Sequence, residues 1–393
     1  MMKLRSGPNA VASVFVLMIF TSLPLFMWAQ DSTNDIYRKY ATVPTEVPGI
    51  YTFADPPQGF NALAASDEEL AMYGFPPRPD RVAHPEQYHL WEFTVKAAKT
   101  RWKGPLKRTQ FRSAVPAPMQ NPQAPQGQVN YQIPYPNLDW GGYGNFKNIT
   151  AYSSKKSSLS SFQGIAAFFN VPIAEDAFGQ SGCTSPGTEG TVTAMIGIDA
   201  PTLQGGVIAQ NPGWIYSGGC FVYLPTYYAE IGAGTSNEII DVFPVNPGDM
   251  MTVIVSDTSP TTGNVFLLDD TTGAGTTYAI TTTPIIGDSA EFLMAKVYVN
   301  GVLDQIPNYV GTNWVQAYAI DFDQTVYGPG TNMKSSKSYR YTVNYEMTDD
   351  AGDQIITDSL PYTQTFKNPY APSETFGVFF NVTNCAEDYG CTP

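Results

Sequence analysis

Carboxylates and amides are the side chains available for chemistry in most of this chain. The sequence has 35 Asp and Glu residues but only two histidines, His84 and His89, both in its first quarter. A Ser-His-Asp triad or a His-ligated metal site therefore cannot be built from later residues. The four cysteines lack CxxC spacing, which argues against structural zinc. We expect no metal and no cofactor, and chemistry carried by carboxylates, amides, hydroxyls and aromatic surfaces.

Charge is distributed unevenly along the chain. The protein has a net charge of −14, and the region from residue 114 onward has 25 acidic and 8 basic residues. Residues 93–112 instead carry seven basic residues and no acidic one. An acidic chain is a poor partner for nucleic acid, so we expect no nucleic-acid binding. It suits acidic surroundings, where protonation relieves repulsion between carboxylates.

Short strands are the elements that must position these side chains. Apolar and aromatic runs alternate with Gly, Asn, Asp and Thr clusters after residue 138, at 164–171, 191–198, 221–228, 250–256, 264–268, 290–299, 314–322 and 339–345. This pattern predicts an all-β fold, an antiparallel double-sheet β-sandwich spanning residues 138–393. Residues 30–112 read as a mixed N-terminal region with a helix around 86–101, and residues 113–137 as a Pro- and Gln-rich linker.

The first 29 residues have the layout of a secretory signal peptide. Lys3 and Arg5 precede an apolar run that ends near Ala29. A retained membrane anchor is the alternative, and no later stretch is apolar enough to span a bilayer. We expect a secreted protein with no membrane association after signal cleavage. In an oxidising compartment we favour the disulfides Cys183–Cys220 and Cys385–Cys391, with free thiols as the alternative.

Several short motifs in the chain resemble those of the glutamic peptidases, or eqolisins. In chain order they are Trp-Gly-Gly-Tyr at 140–143, Phe-Asn-Val-Pro at 169–172, Ile-Gly-Ile-Asp at 196–199, Pro-Gly-Asp at 247–249, Thr-Gly at 262–263, Thr-Thr-Gly at 271–273 and Ser-Ala-Glu-Phe at 289–292. Residues 73–79 are similar to the segment before the catalytic domain in bacterial members. The likeness covers most of residues 60–325.

The resemblance implies two bent antiparallel sheets of the concanavalin A-like kind, with an active cleft on the concave sheet. In that family a Glu acts as general base and a Gln amide stabilises the oxyanion. The family's Glu position corresponds here to Ala295, which cannot move a proton. The Gln corresponds best to Gln210, with Gln204 as a second choice.

Other carboxylates are then candidates for the missing proton carrier. Glu291 shares a strand face with Ala295, but four residues separate the two by about 13 Å. Glu230 resembles a secondary acidic residue of the family, and Asp199 is the third candidate. A structural role is the alternative for Glu291 and Glu230, and a plain loop amide for Gln210.

Four further residues are expected to contact a polypeptide substrate or ligand: Trp140, Asp199, Trp214 and Tyr228. The resemblance also implies that the basic stretch is an intramolecular prosegment that loosens as carboxylates protonate, with a solvated flexible tail as the alternative. Two functions therefore remain open, an acid-acting endopeptidase and a non-catalytic module that binds peptide or carbohydrate. A glucanase is disfavoured, because the Glu-x-Asp-x-Glu pattern is absent around Glu291. The oligomeric state is not predicted.

Overall fold

A computed structural model provides the coordinates of this protein. It describes residues 39–115, 135–137, 139–146, 161–175, 190–210, 214–217, 220–223, 226–232, 236–304, 306, 308–322, 324, 326–328, 341–347, 356–358, 362–363 and 374–380.

The described part of the chain is mostly β-strand, with two short helices. The helices are α1 (Asp67–Met72) and α2 (Pro85–Ala97). The strands are β1 (Val43–Pro44), β2 (Ile50–Thr52), β3 (Thr100–Arg101), β4 (Lys107–Ser113), β5 (Tyr135–Asn137), β6 (Trp140–Phe146), β7 (Phe162–Asn170), β8 (Ile173–Glu175), β9 (Val192–Ile198), β10 (Leu203–Gln210), β11 (Trp214–Ser217), β12 (Cys220–Tyr223), β13 (Thr226–Gly232), β14 (Glu238–Pro244), β15 (Met250–Ser259), β16 (Thr262–Asp269), β17 (Ala274–Thr281), β18 (Ser289–Val299), β19 (Val302–Leu303), β20 (Asn308–Val310), β21 (Thr312–Asp321), β22 (Val326–Tyr327), β23 (Tyr341–Met347), β24 (Ile356–Asp358), β25 (Tyr362–Thr363) and β26 (Glu374–Phe380).

Two large sheets form the sandwich. The first has the strand order β1-β2-β17-β16-β15-β7-β21-β26-β24, and the second has β4-β14-β13-β10-β9-β18-β6-β23-β5. Within the described strands the pairing is antiparallel, apart from β3 with β17 and β5 with β23. The predicted all-β antiparallel sandwich is therefore confirmed. The C-terminal strands β23 and β26 pair with β6 and β21, so the region after residue 328 contributes to both sheets.

The main core lies between the two sheets. Alternate side chains of each strand face inward, and Trp314 and Phe169 of the first sheet are fully buried, with ring centroids 4.4 Å apart. Phe292 of the second sheet packs edge-on against Trp314, with centroids 6.4 Å apart. Because this core uses one face of each strand, the opposite face of the second sheet carries a separate set of side chains, which includes two smaller apolar clusters.

The N-terminal region is built into the sandwich. Strands β1, β2 and β3 extend the first sheet at β17, and α2 corresponds to the helix predicted around residues 86–101. On the outer face of the first sheet, Leu90 of α2 packs with Ala166, Phe168 and Tyr318. The domain boundaries at residues 112 and 137 stay predictions. The N-terminal region nevertheless supplies strands to both sheets, with β1–β3 in the first and β4 in the second.

Strand β4 closes a ring in the second sheet. It pairs with β14 through Arg108 and Arg112 and with β18 through Phe111–Ser113. Since β14, β13, β10, β9 and β18 are joined in that order, β4 completes a six-stranded ring. The inner face of this ring, on the side away from the main core, is called the hollow below.

Some sequence predictions fall outside the described residues. These are the signal peptide, most of the linker, and the disulfides, of whose four cysteines only the backbone of Cys220 is described. No helix in the described ranges is both long and apolar enough to cross a membrane.

Candidate functional site

The hollow contains the position at which the resemblance places a catalytic glutamate. Ala295 of β18 is the Cα partner of Thr193 on β9, and Thr193 is the partner of Ile208 on β10. Ile208 is in turn opposite Tyr228 on β13. At the level of Ala295 the neighbouring strands therefore carry a hydroxyl, an aliphatic and a phenol side chain, but no carboxylate.

The side chain of Glu230 on β13 reaches toward this level, although its backbone lies two residues further along the sheet, opposite Gly206. It lies at a β-bulge of β13, opposite Gly206 on β10, and its Oε1 accepts a hydrogen bond from Oγ1 of Thr193. Gly206 has no side chain to block the path across β10. Thr193 is opposite Ala295, at a Cβ separation of about 4.5–5.5 Å for such pairs. The Glu230 carboxyl is thus linked to the level of Ala295 through the Thr193 side chain.

Gln210 is paired with a carboxylate that the sequence analysis did not select. Its Nε2 donates to Oδ1 of Asp241 at 2.6 Å, and both side chains are buried. Oδ2 of Asp241 lies 3.7 Å from Nζ of Lys107 on β4. The sequence feature that could have identified Asp241 is its position as the single carboxylate inside the apolar run of residues 239–243. A buried acidic side chain in such a run requires a partner.

Asp241 and Glu230 are Cα partners on β14 and β13, and both are shielded from water. Burial raises the pKa of Glu230 to about 8, against the hydrogen bond from Thr193, which lowers it, and with a smaller contribution from the charge of Asp241. Burial also raises the pKa of Asp241 to about 6, because it outweighs the attraction of Lys107 and the hydrogen bond from Gln210. The two carboxyls therefore ionise in order, Asp241 before Glu230. Unequal neighbouring carboxyls are suited to acid and base roles in one reaction.

Glu291 and Gln204 lie away from this cluster. Glu291 is opposite Gly197, which is opposite Gln204, and Gln204 is six residues, or about 20 Å of strand, from Gln210. Oε2 of Glu291 accepts from the backbone N–H of Ala200 at 3.3 Å, and burial raises its pKa well above the ordinary value. The structure therefore does not bring Glu291 to Gln210.

Asp199 organises the turn that leads into β18. Its carboxylate accepts four backbone N–H bonds, from Ile286 at 2.7 Å, Gly287 at 2.6 Å, Asp288 at 2.9 Å and Ser289 at 3.2 Å. A carboxylate with this many donors is occupied by its own chain, which indicates a structural role. This differs from the substrate contact expected from the sequence.

Aromatic side chains line the hollow, and the chain around β4 covers them. Trp140 is opposite Ala295 and belongs to a buried cluster that includes Val115, two residues after β4. Tyr228 lies 5.3 Å below Nζ of Lys107, measured to its ring centroid. Of Trp214 only the backbone in β11 is described. Of the predicted substrate contacts, Tyr228 is thus in the hollow and partly covered, whereas Trp140 lies just outside the ring on β6, opposite Ala295, and is buried.

Within the described residues, no three His, Cys, Asp or Glu side chains are grouped so as to hold a metal ion. The polar side chains that the hydrogen bonds above join in the hollow are those of Glu230 with Thr193 and of Asp241 with Gln210.

Comparisons with known proteins found one family model and several solved structures that are similar to this chain. A model of the peptidase A4 family matches residues 147–353. Scytalido-glutamic peptidase, solved with a transition-state analogue inhibitor, is similar at 18% identity and a TM-score of 0.41, covering 62% of this chain and 98% of that one. SCP-B, an eqolisin solved with the tripeptide Ala-Ile-His, is similar at 17% identity and 0.39 over the same shares. Aspergilloglutamic peptidase from Aspergillus niger is similar at 18% and 0.37, over 49% of this chain and all of that one. No curated protein sequence matches significantly.

Proposed function

This chain belongs to the peptidase A4 family, the glutamic peptidases, and we propose that it is a latent endopeptidase with a rearranged pair of acidic groups. The observation that carries the proposal is the cluster of Glu230, Asp241 and Gln210 in the hollow, which Thr193 links to the level of Ala295. The substrate class is polypeptide, and export through residues 1–29 is part of the proposal.

The two carboxyls divide the proton transfers between them. Asp241, which ionises first, takes a proton from water as the water oxygen bonds to the peptide carbonyl carbon. The Gln210 amide turns from Asp241 to donate to the oxyanion. Glu230, still neutral, gives its proton to the leaving nitrogen as the C–N bond breaks. Exchange with solvent then returns both groups to their first protonation states.

The covered hollow makes the described state a latent one. Glu230, Thr193 and Ala295 are all 0% exposed, so a substrate reaches them only after β4 and Val115 have moved. Two ion pairs join β4 to β14: Lys107 with Asp241, and Arg108 with Glu238, whose two contacts measure 2.9 and 2.5 Å. These contacts support the proposal that the basic stretch acts as an intramolecular prosegment.

The direction of its pH dependence differs from the sequence-based expectation. Lys107 and Arg108 of these pairs are exposed, so solvent screens their charge and protonating the partner carboxylates in acid loosens β4 only modestly. The pKa of Asp241 and that of Glu230 are both raised in the closed state, so acid favours closure through these two groups. We infer that β4 is displaced by cleavage of the chain after residue 115. Once water reaches the carboxyls, their pKa values fall toward the ordinary range, which gives an acidic working pH.

The second candidate function is non-catalytic binding, and it is favoured by the apolar side chains of Ala295 and Ile208 where a catalytic group is expected. At their level no described side chain except that of Glu230 provides an acidic group, and an aromatic-lined hollow without catalysis suits a module that binds peptide or carbohydrate.

The two functions are separated by incubation with denatured casein from pH 2 to 5, with pepstatin present. The proteins compared are the wild type and the double variant Phe111→Arg/Val115→Arg, whose two guanidinium groups stay charged throughout this pH range and weaken the packing of β4 and the residues after it against the second sheet. The peptidase proposal expects casein fragments from the double variant and few or none from the wild type. A folded double variant that binds casein without cutting it would establish the binding function instead.

A further inference from the structure

A second cavity lies on the other side of the molecule from the hollow. It has a volume of about 350 Å³ and lies between α2, the extended segment at residues 76–80 and the outer face of the first sheet, partly open to solvent. The sheet contributes residues from β7, β15 and β21. Binding cavities for small molecules are of this size and are mostly apolar.

The walls are mostly apolar, with polar side chains supplied by both the N-terminal region and the sheet. Leu90 and Trp91 of α2 lie across the space from Ile254 and Ile320 of the sheet. Trp91 is held in place, because its Nε1 donates to the carbonyl of Pro76 at 2.9 Å. An apolar space of this kind is costly to fill with ordered water, which needs several polar partners.

Two donors of the cavity wall are buried without an acceptor. Gln87 is 3% exposed, and its Nε2 has no hydrogen-bond partner among the described residues; the same holds for Nε of Arg78. Both side chains line the cavity. Leaving a buried donor unpaired is unfavourable, and native structures contain few such groups. Two of them at one cavity predict an acceptor supplied from outside.

The charge around Arg78 favours an anionic acceptor. Its Nη2 donates to the carbonyl of Ala65, and its Nη1 lies 3.9 Å from the exposed carboxylate of Asp67, a long and solvent-screened contact. The guanidinium also stacks over Trp91, 5.0 Å from the ring centroid. Asp80 is the acidic side chain of the cavity rim, and its Oδ1 is occupied by the backbone N–H groups of Val82 and Ala83 at 2.7 Å each.

We propose that this cavity binds a small apolar monocarboxylate, with its carboxylate on Gln87 and Arg78 and its hydrocarbon body against Leu90 and the isoleucines of the sheet. The site is independent of the hollow and of any peptidase activity. It would make the N-terminal region a ligand-binding element in addition to a cover for the second sheet.

Isothermal titration of the full chain with decanoate tests the proposal, with decylamine as the matched ligand of opposite charge. The protein has a net charge of −14, so general attraction favours decylamine and repels decanoate. Saturable one-to-one binding of decanoate, with no comparable binding of decylamine, is the expected result. No saturable binding of decanoate, or equal binding of the two ligands, would overturn the proposal.

Two variants assign the binding to this cavity. Gln87→Leu keeps the side-chain size and removes the donor, and should raise the dissociation constant of decanoate at least about tenfold. Ser256→Phe fills the cavity from the sheet side and should abolish binding without touching α2. Gln58→Leu, at an exposed glutamine outside the cavity, is the control and should bind as the wild type does. Unchanged affinity in folded Gln87→Leu and Ser256→Phe proteins would refute the assignment.

Discussion

Replacing Glu230 by Gln should remove a pH-dependent cost of folding. Burial raises the pKa of Glu230 from 4.5 to about 8 in the folded protein, whereas in the unfolded chain the group has its ordinary value. A group with a raised folded pKa contributes its full stability below the unfolded pKa and loses it as pH rises through the folded pKa. The wild type should therefore lose stability between about pH 4.5 and pH 8, and the Gln variant should not lose this part.

The size of the effect follows from the shift. Each pKa unit corresponds to about 1.36 kcal/mol, so a shift of this size amounts to about 3 to 5 kcal/mol by pH 9. Gln keeps an oxygen that can accept from Thr193, so the variant should resemble the wild type at pH 4. Asp241 titrates in both proteins and enters the difference only through its smaller electrostatic coupling to Glu230.

Urea unfolding of both proteins at pH 4 and pH 9 measures the difference directly. Relative to the wild type, the free energy of unfolding of the variant should rise by about 3 to 5 kcal/mol from pH 4 to pH 9. Glu46→Gln, at an exposed glutamate, is the matched control and should track the wild type. Parallel stability curves for Glu230→Gln and wild type would show that the carboxyl is hydrated, and would refute the burial on which the proposed acid role depends.

Two further substitutions test the framework of the hollow. Asp199→Asn should cost about 2 to 4 kcal/mol in urea unfolding, because an amide oxygen replaces a carboxylate that accepts four backbone N–H bonds; a loss below about 0.5 kcal/mol would contradict the structural role. Gly206→Ala should cost about 2 to 4 kcal/mol, because its Cβ would lie 2.2 Å from the carbonyl oxygen of Ala194 on the neighbouring strand. Unchanged stability there would mean that β9 and β10 are not paired in the register that places Glu230 beside Thr193.

Much of the fold was readable from the sequence. The apolar runs at 191–198 and 290–299 became β9 and β18, and their pairing gives Ala295 the neighbours on which the site depends. Strand β10 was not predicted, because two glycines interrupt its apolar pattern. Gln210 consequently had a loop amide as its alternative, whereas it ends a strand inside the second sheet.

The site itself depended on register, which sequence patterns do not give. The pairing of Glu230 with Gly206 and the bulge beside it determine that this carboxyl reaches Thr193. Asp241 was missed because it lies inside an apolar strand. Its place in the site becomes evident only from its hydrogen bond with Gln210. The role of β4 was missed for a similar reason, since its basic residues obscured the alternation of Thr109, Phe111 and Ser113 that is typical of a strand.

The acid role of Glu230 is tested most directly by the rate of casein hydrolysis in the opened background, Phe111→Arg/Val115→Arg, with and without Glu230→Gln. Loss of a positioned proton carrier should lower the rate by about 100-fold or more, while Glu291→Gln in the same background should leave most of it. Equal rates with and without Glu230→Gln would contradict the account and place the catalytic acid elsewhere.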